Sequence, residues 1–327
     1  MSDIRIGVIG VGIMGAGHAR YITDSVDGSV VTAFYDLDSA RMDSLAKELS
    51  AKSGVLINMH SSVDALVDDP NVDAVIICSP DALHPEHLAL CVNAKKPTLC
   101  EKPLAPRLED AKKIAEIVKS SGVPVAMGFM RRFDPGYIQI KQEIESGKYG
   151  DVIQIRAVSR NASTPGATTA AMISQSVVHE FDIARWLLKE EFTTVSVAYA
   201  KKTSHANPDI QDAISVLAHT ESGVLMTVDS CANSTYGYDV RVEVLMQNGS
   251  LELNNLGDLT ISFDFELPGR KSGRIHENWI GRFTDAYIGE LRAWVASIKD
   301  GVVNPNLATV DDGVAASIAC EKGISHL

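Results

Sequence analysis

The chain has no paired cysteines. Its five, Cys78, Cys91, Cys100, Cys231 and Cys320, are odd in number, scattered and never in a CxxC spacing. A disulfide framework and a thiolate zinc site are therefore not indicated, no metal is expected, and the cysteines read as packing residues. Positive charge is also short. A formal net charge of −12 leaves no basic field to neutralise phosphates, which makes nucleic acid and anionic membrane surfaces poor candidates as partners. No hydrophobic run is long enough to span a bilayer, and the opening "MSDIRIGVIG" enters a strand without a basic n-region, an apolar h-region or a cleavage site. The expectation is a cytoplasmic protein, in which the Asn-x-Ser/Thr triplets at Asn161, Asn233 and Asn248 carry no glycan. No polar low-complexity tract interrupts the chain either, so disorder is not expected.

At 327 residues with 45% hydrophobic and 22% charged side chains, the chain has the composition of a globular protein and the length of two domains. Up to about Met130, short Val/Ile-rich runs ("IRIGVIG", "VVTAFYD", "VLINMH", "VDAVIICSP", "PTLCEKP", "VPVAMGFM") alternate with amphipathic stretches. Near-continuous apolar runs with helical segments between them indicate a parallel sheet covered on both faces. "LEDAKKIAEIVKSSG" shows the helical period, with Leu108, Ala111, Ile114, Ala115 and Val118 on one face and Gly122 as the stop. Beyond Met130 most strands follow one another without helices and alternate in polarity: "DVIQIRAVSR", "TTVSVAYAKK", "DAISVLAHT", "GVLMTVDSCA", "YDVRVEVLMQNGSLELNN" and "LTISFDF". That pattern indicates a mostly antiparallel sheet with one polar face, and Asn248-Gly249 signals a hairpin. The predicted architecture is α/β: a Rossmann-type doubly wound parallel sheet over residues 1–126, then an α+β domain with a large, mostly antiparallel open sheet over 127–327.

In "GVIGVGIMG", Gly10, Gly12 and Gly15 hold the GxGxxG spacing, with Ile13 and Met14 inside it, directly after a strand and opening a helix. The first glycine permits a tight turn, the second lets backbone approach a pyrophosphate and the third packs helix on strand. The next strand ends at Asp36, where an acid accepts hydrogen bonds from the adenosine ribose hydroxyls. A carboxylate there repels a 2′-phosphate, which favours NAD over NADP. Arg41 bears on that choice from five residues on and is kept with the cofactor set, although a surface position on a helix suits it as well. Ser79 and Pro80 end the fourth strand, His84 opens the helix after them, and Glu101 and Lys102 end the fifth, all at the sheet edge where ligands bind.

The ordering of glycine turn, Asp36, "CSPDALH" and "CEKPLA" resembles the Gfo/Idh/MocA oxidoreductases. Further stretches, "GFMRRFDPGY", "SRN", "VHEFDIARWLL", "YGYDVRVEV" and "RFTDAYIGELRAW", resemble its inositol 2-dehydrogenase branch. The resemblance implies that Lys102 reaches the substrate hydroxyl and the nicotinamide, that Glu101 and Pro103 fix its placement, and that the Lys102–Pro103 peptide is cis. It implies a base at His179, substrate contacts from Arg131 or Arg132 and Asn161, and a homo-oligomer, tetramer or dimer, formed through the open sheet face. Tyr236 and Tyr238 either line a polyol pocket or pack on the sheet.

Alcohol oxidation calls for just such groups: a base near neutrality, which an imidazole of ordinary pKa about 6.5 supplies, and a cation at the developing alkoxide. On a regular helix Gln175, His179 and Asp182 fall at i, i+4 and i+7, on one stripe. The family pattern has Asp four residues before the histidine, whereas this chain has Gln175. Either Asp182 serves in its stead or activity on inositol is altered. The function expected is therefore hydride transfer from a ring secondary hydroxyl of an inositol to NAD. The alternatives are another sugar, keto-sugar or sugar acid as substrate, or an NAD-binding protein without turnover.

Overall fold

The computed structural model describes residues 2–164, 166–207, 210–254 and 276–327; the predicted strand "LTISFDF" lies outside them. Two compact units form, one of residues 1–133 and 285–317, the other of 134–284 and 318–327.

In the first unit β1 (Ile4–Ile9), β2 (Ser29–Tyr35), β3 (Asn58–Met59), β4 (Ala74–Ile77), β5 (Thr98–Glu101) and β6 (Val125–Gly128) make one sheet in the order β3-β2-β1-β4-β5-β6. Every pairing in it is parallel. The order reverses between β1 and β4, so the crevice that takes ligands in such sheets lies beyond their carboxyl ends. The intervening helices are α1 (Ile13–Ser25), α2 (Ser39–Ser53), α3 (Val63–Val67), α4 (His84–Asn93) and α5 (Leu108–Ser121). As its period predicts, α5 buries Ala111, Ile114, Ala115 and Val118 and stops at Gly122, whose left-handed φ of 68° ends the helix. "VLINMH" pairs only through Asn58 and Met59. The core around Ile6, Val8, Phe34, Leu45 and Ile76 also takes in Leu291, Trp294, Val295 and Leu307 from the returning segment.

In the second unit α6 (Pro135–Glu145) starts at Asp134, whose carboxylate accepts from Gly136 N and Tyr137 N and pairs with Arg282 Nη1 at 2.6 Å. Next come β7 (Val152–Arg160), α7 (Thr169–Ala171), α8 (Val178–Leu188), β8 (Phe192–Tyr199), β9 (Ile214–Thr220), β10 (Leu225–Cys231), β11 (Asp239–Met246) and β12 (Gly249–Leu253). Its sheet runs β12-β11-β7-β10-β9-β8. It is antiparallel except where β7 and β10 lie parallel. Alternation is plain on β9 and β11, whose buried residues, such as Val216, Ala218, Val242 and Val244, are spaced by two. The hairpin forms, but Gly249 pairs with Met246, so Gln247 and Asn248 are the turn and Gly249 begins the strand. Two further helices, α9 (Trp279–Asp300) and α10 (Val310–Ile324), complete the chain. No described helix is long and apolar enough to cross a membrane.

Candidate active site

The first unit builds a dinucleotide cradle from backbone. Gly10 holds φ 86°, and a Cβ there would lie 2.6 Å from the Cys78 carbonyl oxygen at the end of β4. At Gly15 a Cβ would collide with the Gly10 carbonyl oxygen, so the turn and the first helical turn close on each other only as glycines. Gly12 differs: a Cβ there meets nothing within 4 Å. Its missing side chain leaves open space in front of the α1 N-terminus, where the first-turn N–H groups have no intrahelical acceptor. Ile13 stands at that mouth 70% exposed, while Gly15 is buried in the turn.

Asp36 ties the loop to the second strand. Its Oδ2 accepts from Val11 N at 2.7 Å and its Oδ1 from Asp38 N at 2.9 Å. Each carboxylate oxygen has capacity for a further bond, which suits a ribose hydroxyl. Arg41 lines a cleft of about 440 Å³ with Gly12, Ile13, Arg20, Ser44 and Glu48. It pairs with Asp38 at 3.3 Å, and Arg20 is held by both oxygens of Glu48 at 2.8 Å. These residues fit a dinucleotide: a glycine-opened cradle, a helix N-terminus and a ribose-side carboxylate.

At the ends of β4 and β5 the polar groups are buried and mutually bonded. Glu101 Oε1 lies 2.8 Å from Nε2 of His18, a fully buried residue of α1, and Glu101 Oε2 accepts from Lys102 N at 3.3 Å. Burial alone would push the Glu101 carboxyl up. The hydrogen bond from His18, with the fields of His18, Lys102 and His84, outweighs burial and holds it below the usual carboxylate range. Gly128 on β6 makes room, since a Cβ there would touch the Glu101 carboxylate at 3.0 Å. The His18 ring meets Tyr287 edge-on at 5.6 Å. Lys102 is half-buried and its peptide to Pro103 is cis. His84, 1% exposed, sets Nδ1 2.7 Å from the Pro103 carbonyl oxygen and Nε2 2.9 Å from that of Ser79. Pro80 caps the short turn that leads to His84. Arg131 and Arg132 are 2% and 3% exposed. Arg132 pairs with Asp312 at 3.1 Å, an ion pair inside the first unit.

The second unit places its candidates around the start of α8. Here the regular stripe expected of Gln175, His179 and Asp182 needs correction. Residues Met172–Val177 form a π-helical segment, in which Val178 N–H reaches back to Ile173 O, and only from Val178 is the helix α. Gln175 therefore sits on a wider turn than His179 and Asp182 and does not share their period. Gln175 is exposed, whereas His179 is 8% and Asp182 1% exposed. Burying Ile173, Val177 and Val178 together is what the extra residue per turn achieves; such segments recur at functional sites. Asn161, at the end of β7, donates from Nδ2 to Ser176 Oγ at 3.1 Å, and its carbonyl accepts from Ser234 N and Oγ. Tyr236 is 51% exposed, donates to Asp239 Oδ2 at 2.7 Å and accepts from Arg160 Nη1 at 3.0 Å. Tyr238 is buried, packs edge-on against Phe283 and bonds His276 O through its N–H.

Comparison with known proteins accounts for both units. Residues 4–129 match the oxidoreductase family with an NAD-binding Rossmann fold, GFO_IDH_MocA, and residues 137–252 match a GFO/IDH/MocA C-terminal domain. A relative from Saccharopolyspora erythraea named inositol 2-dehydrogenase 2 is 40% identical over 97% of this chain and 91% of its own. The chain belongs to the GFO/IDH/MocA oxidoreductase family. An inositol 2-dehydrogenase 2 from Paenarthrobacter aurescens is 37% identical over 99% of this chain and 96% of its own. Among solved structures, myo-inositol dehydrogenase from Lactobacillus casei, in complex with NAD(H) and myo-inositol, superposes with a TM-score of 0.90 at 26% identity, covering 99% of this chain and 94% of that one.

Two residues of this GFO/IDH/MocA site escaped the sequence reading. His18 carried a signal, a polar residue one turn after Gly15 on the buried side of α1, but its partner Glu101 is 83 positions away. His87 is buried and holds Ser79 Oγ at 2.9 Å from Nδ1. Burial pushes the His87 imidazole below its ordinary value, so the ring is neutral at neutral pH.

Proposed function

We propose that the protein is an NAD-dependent dehydrogenase that oxidises a ring secondary hydroxyl of an inositol, in the manner of an inositol 2-dehydrogenase. The observation that carries this is likeness at 40% identity over 97% of the chain to a relative of that name. Bound NAD supplies the hydride acceptor. The chain supplies the rest: Gly10, Gly12, Ile13, Met14 and Gly15 receive the pyrophosphate, and Asp36 receives the ribose hydroxyls and favours NAD over NADP. Lys102 places a cation at the developing alkoxide and His179 takes the hydroxyl proton, with Asp182 and Gln175 setting its surroundings. Arg131, Asn161 and Tyr236 are the proposed substrate contacts. Residues 1–126 then serve the cofactor and 127–327 the substrate and assembly into a cytoplasmic homo-oligomer.

Gln175 supports a second reading with the same chemistry on another sugar or sugar acid, because a neutral amide stands where the family pattern has a carboxylate. Steady NADH production across a panel of inositols, aldoses and sugar acids decides between them. Turnover highest on an inositol supports the first reading, turnover highest on an aldose or acid supports the second, and no turnover on any of them rejects both. Titration showing NADP binding as tightly as NAD would remove the role given to Asp36.

A further inference from the structure

The β4/β5 ladder ends at Ile77 and Cys100. Ser79 lies two residues beyond it and Pro103 three, where the strand ends part to form the ligand crevice and Pro103 has no N–H to offer a neighbour. His84 spans this gap. It is the first residue of α4, 1% exposed, with one ring nitrogen 2.9 Å from Ser79 O and the other 2.7 Å from Pro103 O. Both partners only accept, so the ring nitrogen that carries the N–H donates to one of them. With both nitrogens facing backbone carbonyl oxygens, the ring has no polar atom left for a ligand at the sheet edge. One turn along α4, His87 holds the side chain of the same Ser79.

We propose that His84 is a positioning residue for Lys102, a strap across the open ends of β4 and β5. Its bond to Pro103 fixes the main chain immediately after the lysine, as Glu101 fixes the N–H before it. This rests on the reading that Lys102 meets the reacting hydroxyl. Displacements of about 1 Å at such a group cost up to roughly a hundredfold in rate, so the strap belongs to kcat rather than to cofactor affinity.

The test compares His84→Leu and His84→Gln with wild type in three measurements. For the Leu variant we expect kcat to fall about 10- to 100-fold, while the substrate KM and the NADH dissociation constant stay within about threefold; Gln, which keeps a donor, recovers part of the loss. In the protein without ligands, hydrogen exchange of the 98–106 segment speeds up in the Leu variant more than in the Gln variant. NADH affinity falling in step with kcat would overturn the proposal in favour of a cofactor contact, and so would unchanged exchange in 98–106. If His84→Leu does not fold, the Gln variant alone decides, with the same directions at smaller size. Wild-type enzyme that turns over no polyol defeats the functional reading instead, and the exchange and NADH measurements still decide the strap.

Discussion

The two units hold the side chains proposed to react by different means. In the first, Lys102 follows a strand of a parallel sheet, and the backbone on either side of it is bonded to buried groups: Glu101 backed by His18 before it, and His84 after it. In the second, His179 projects from a helix just past a change of helical period at Met172–Val177. A sheet edge fixes a residue by what surrounds it; a helix fixes one by where the turn places it. Losing a group that braces Lys102 should therefore loosen the backbone around the lysine, whereas losing Lys102 or His179 itself should leave the fold and cofactor binding largely intact.

The largest effects test this division at its two ends. Lys102→Ala and His179→Ala should each lower kcat by about two to four orders of magnitude, the range for a lost general base or a lost electrostatic donor. Both should leave NADH binding within a few-fold, as read by fluorescence titration. An active His179→Ala enzyme would remove the base from the second unit and break the comparison.

The glycines come next, and they separate two functions within one loop. Gly15→Ala meets the Gly10 carbonyl oxygen, a backbone atom with nowhere to move, and should cost on the order of 3 kcal/mol of stability, at the upper end for overpacking. Gly12→Ala meets no protein atom within 4 Å, so its melting temperature should match wild type while NAD affinity falls at least tenfold, because the methyl occupies space meant for the pyrophosphate. Equal loss of stability in both variants would show that Gly12 serves folding, not ligand.

A smaller effect, set by pH, tests how Arg132 is held in the first unit. Burial alone would push the Asp312 carboxyl up, but the neighbouring Arg132 guanidinium and hydrogen bonds from Thr309 bring it down to about 2. A folded value below the unfolded one of about 3.9 means that the stabilisation is complete above pH 4 to 5 and is lost as pH falls toward 2. The amount is about 3 kcal/mol, the two-unit difference at roughly 1.4 kcal/mol each. Denaturant unfolding from pH 6 to 2 should show Asp312→Asn less stable than wild type above pH 4, with the gap closing at lower pH. A constant gap would mean that the pair contributes no linked protonation.

The same contrast governs what the sequence could disclose. The glycine spacing, the acid at the end of β2, the Glu-Lys-Pro stretch and the α5 period are local patterns, and each sits where its spacing places it. The π segment is not local in that sense: "MISQSV" has no composition that separates it from an α-helix, and the wider turn, with Ile173, Val177 and Val178 all buried, shows only in the fold. Partnerships across the chain were equally silent, His18 with Glu101 at 83 residues, Arg132 with Asp312 at 180 and Asp134 with Arg282 at 148. The return of residues 285–317 to the first unit was hidden for a related reason. An amphipathic helix announces a buried face but not which core it faces.

The smallest expected effect is at Gln175, where chain and family pattern differ. If His179 takes the proton, its conjugate acid forms during oxidation, and a carboxylate nearby stabilises that acid and raises the histidine pKa. A regular helix would set residue 175 directly beneath 179 and make the effect large. The wider turn and the exposure of Gln175 argue for less, because charges in contact with water interact weakly. Gln175→Asp should therefore move the acidic limb of the pH profile for kcat/KM upward by a few tenths of a unit, and more at low than at high salt. It should also alter the order of preference among polyols if the second unit binds substrate as proposed. A shift of a full unit or more would mean that the π turn does not separate the two positions. No shift, with an unchanged substrate order, would show that residue 175 does not face the reacting group.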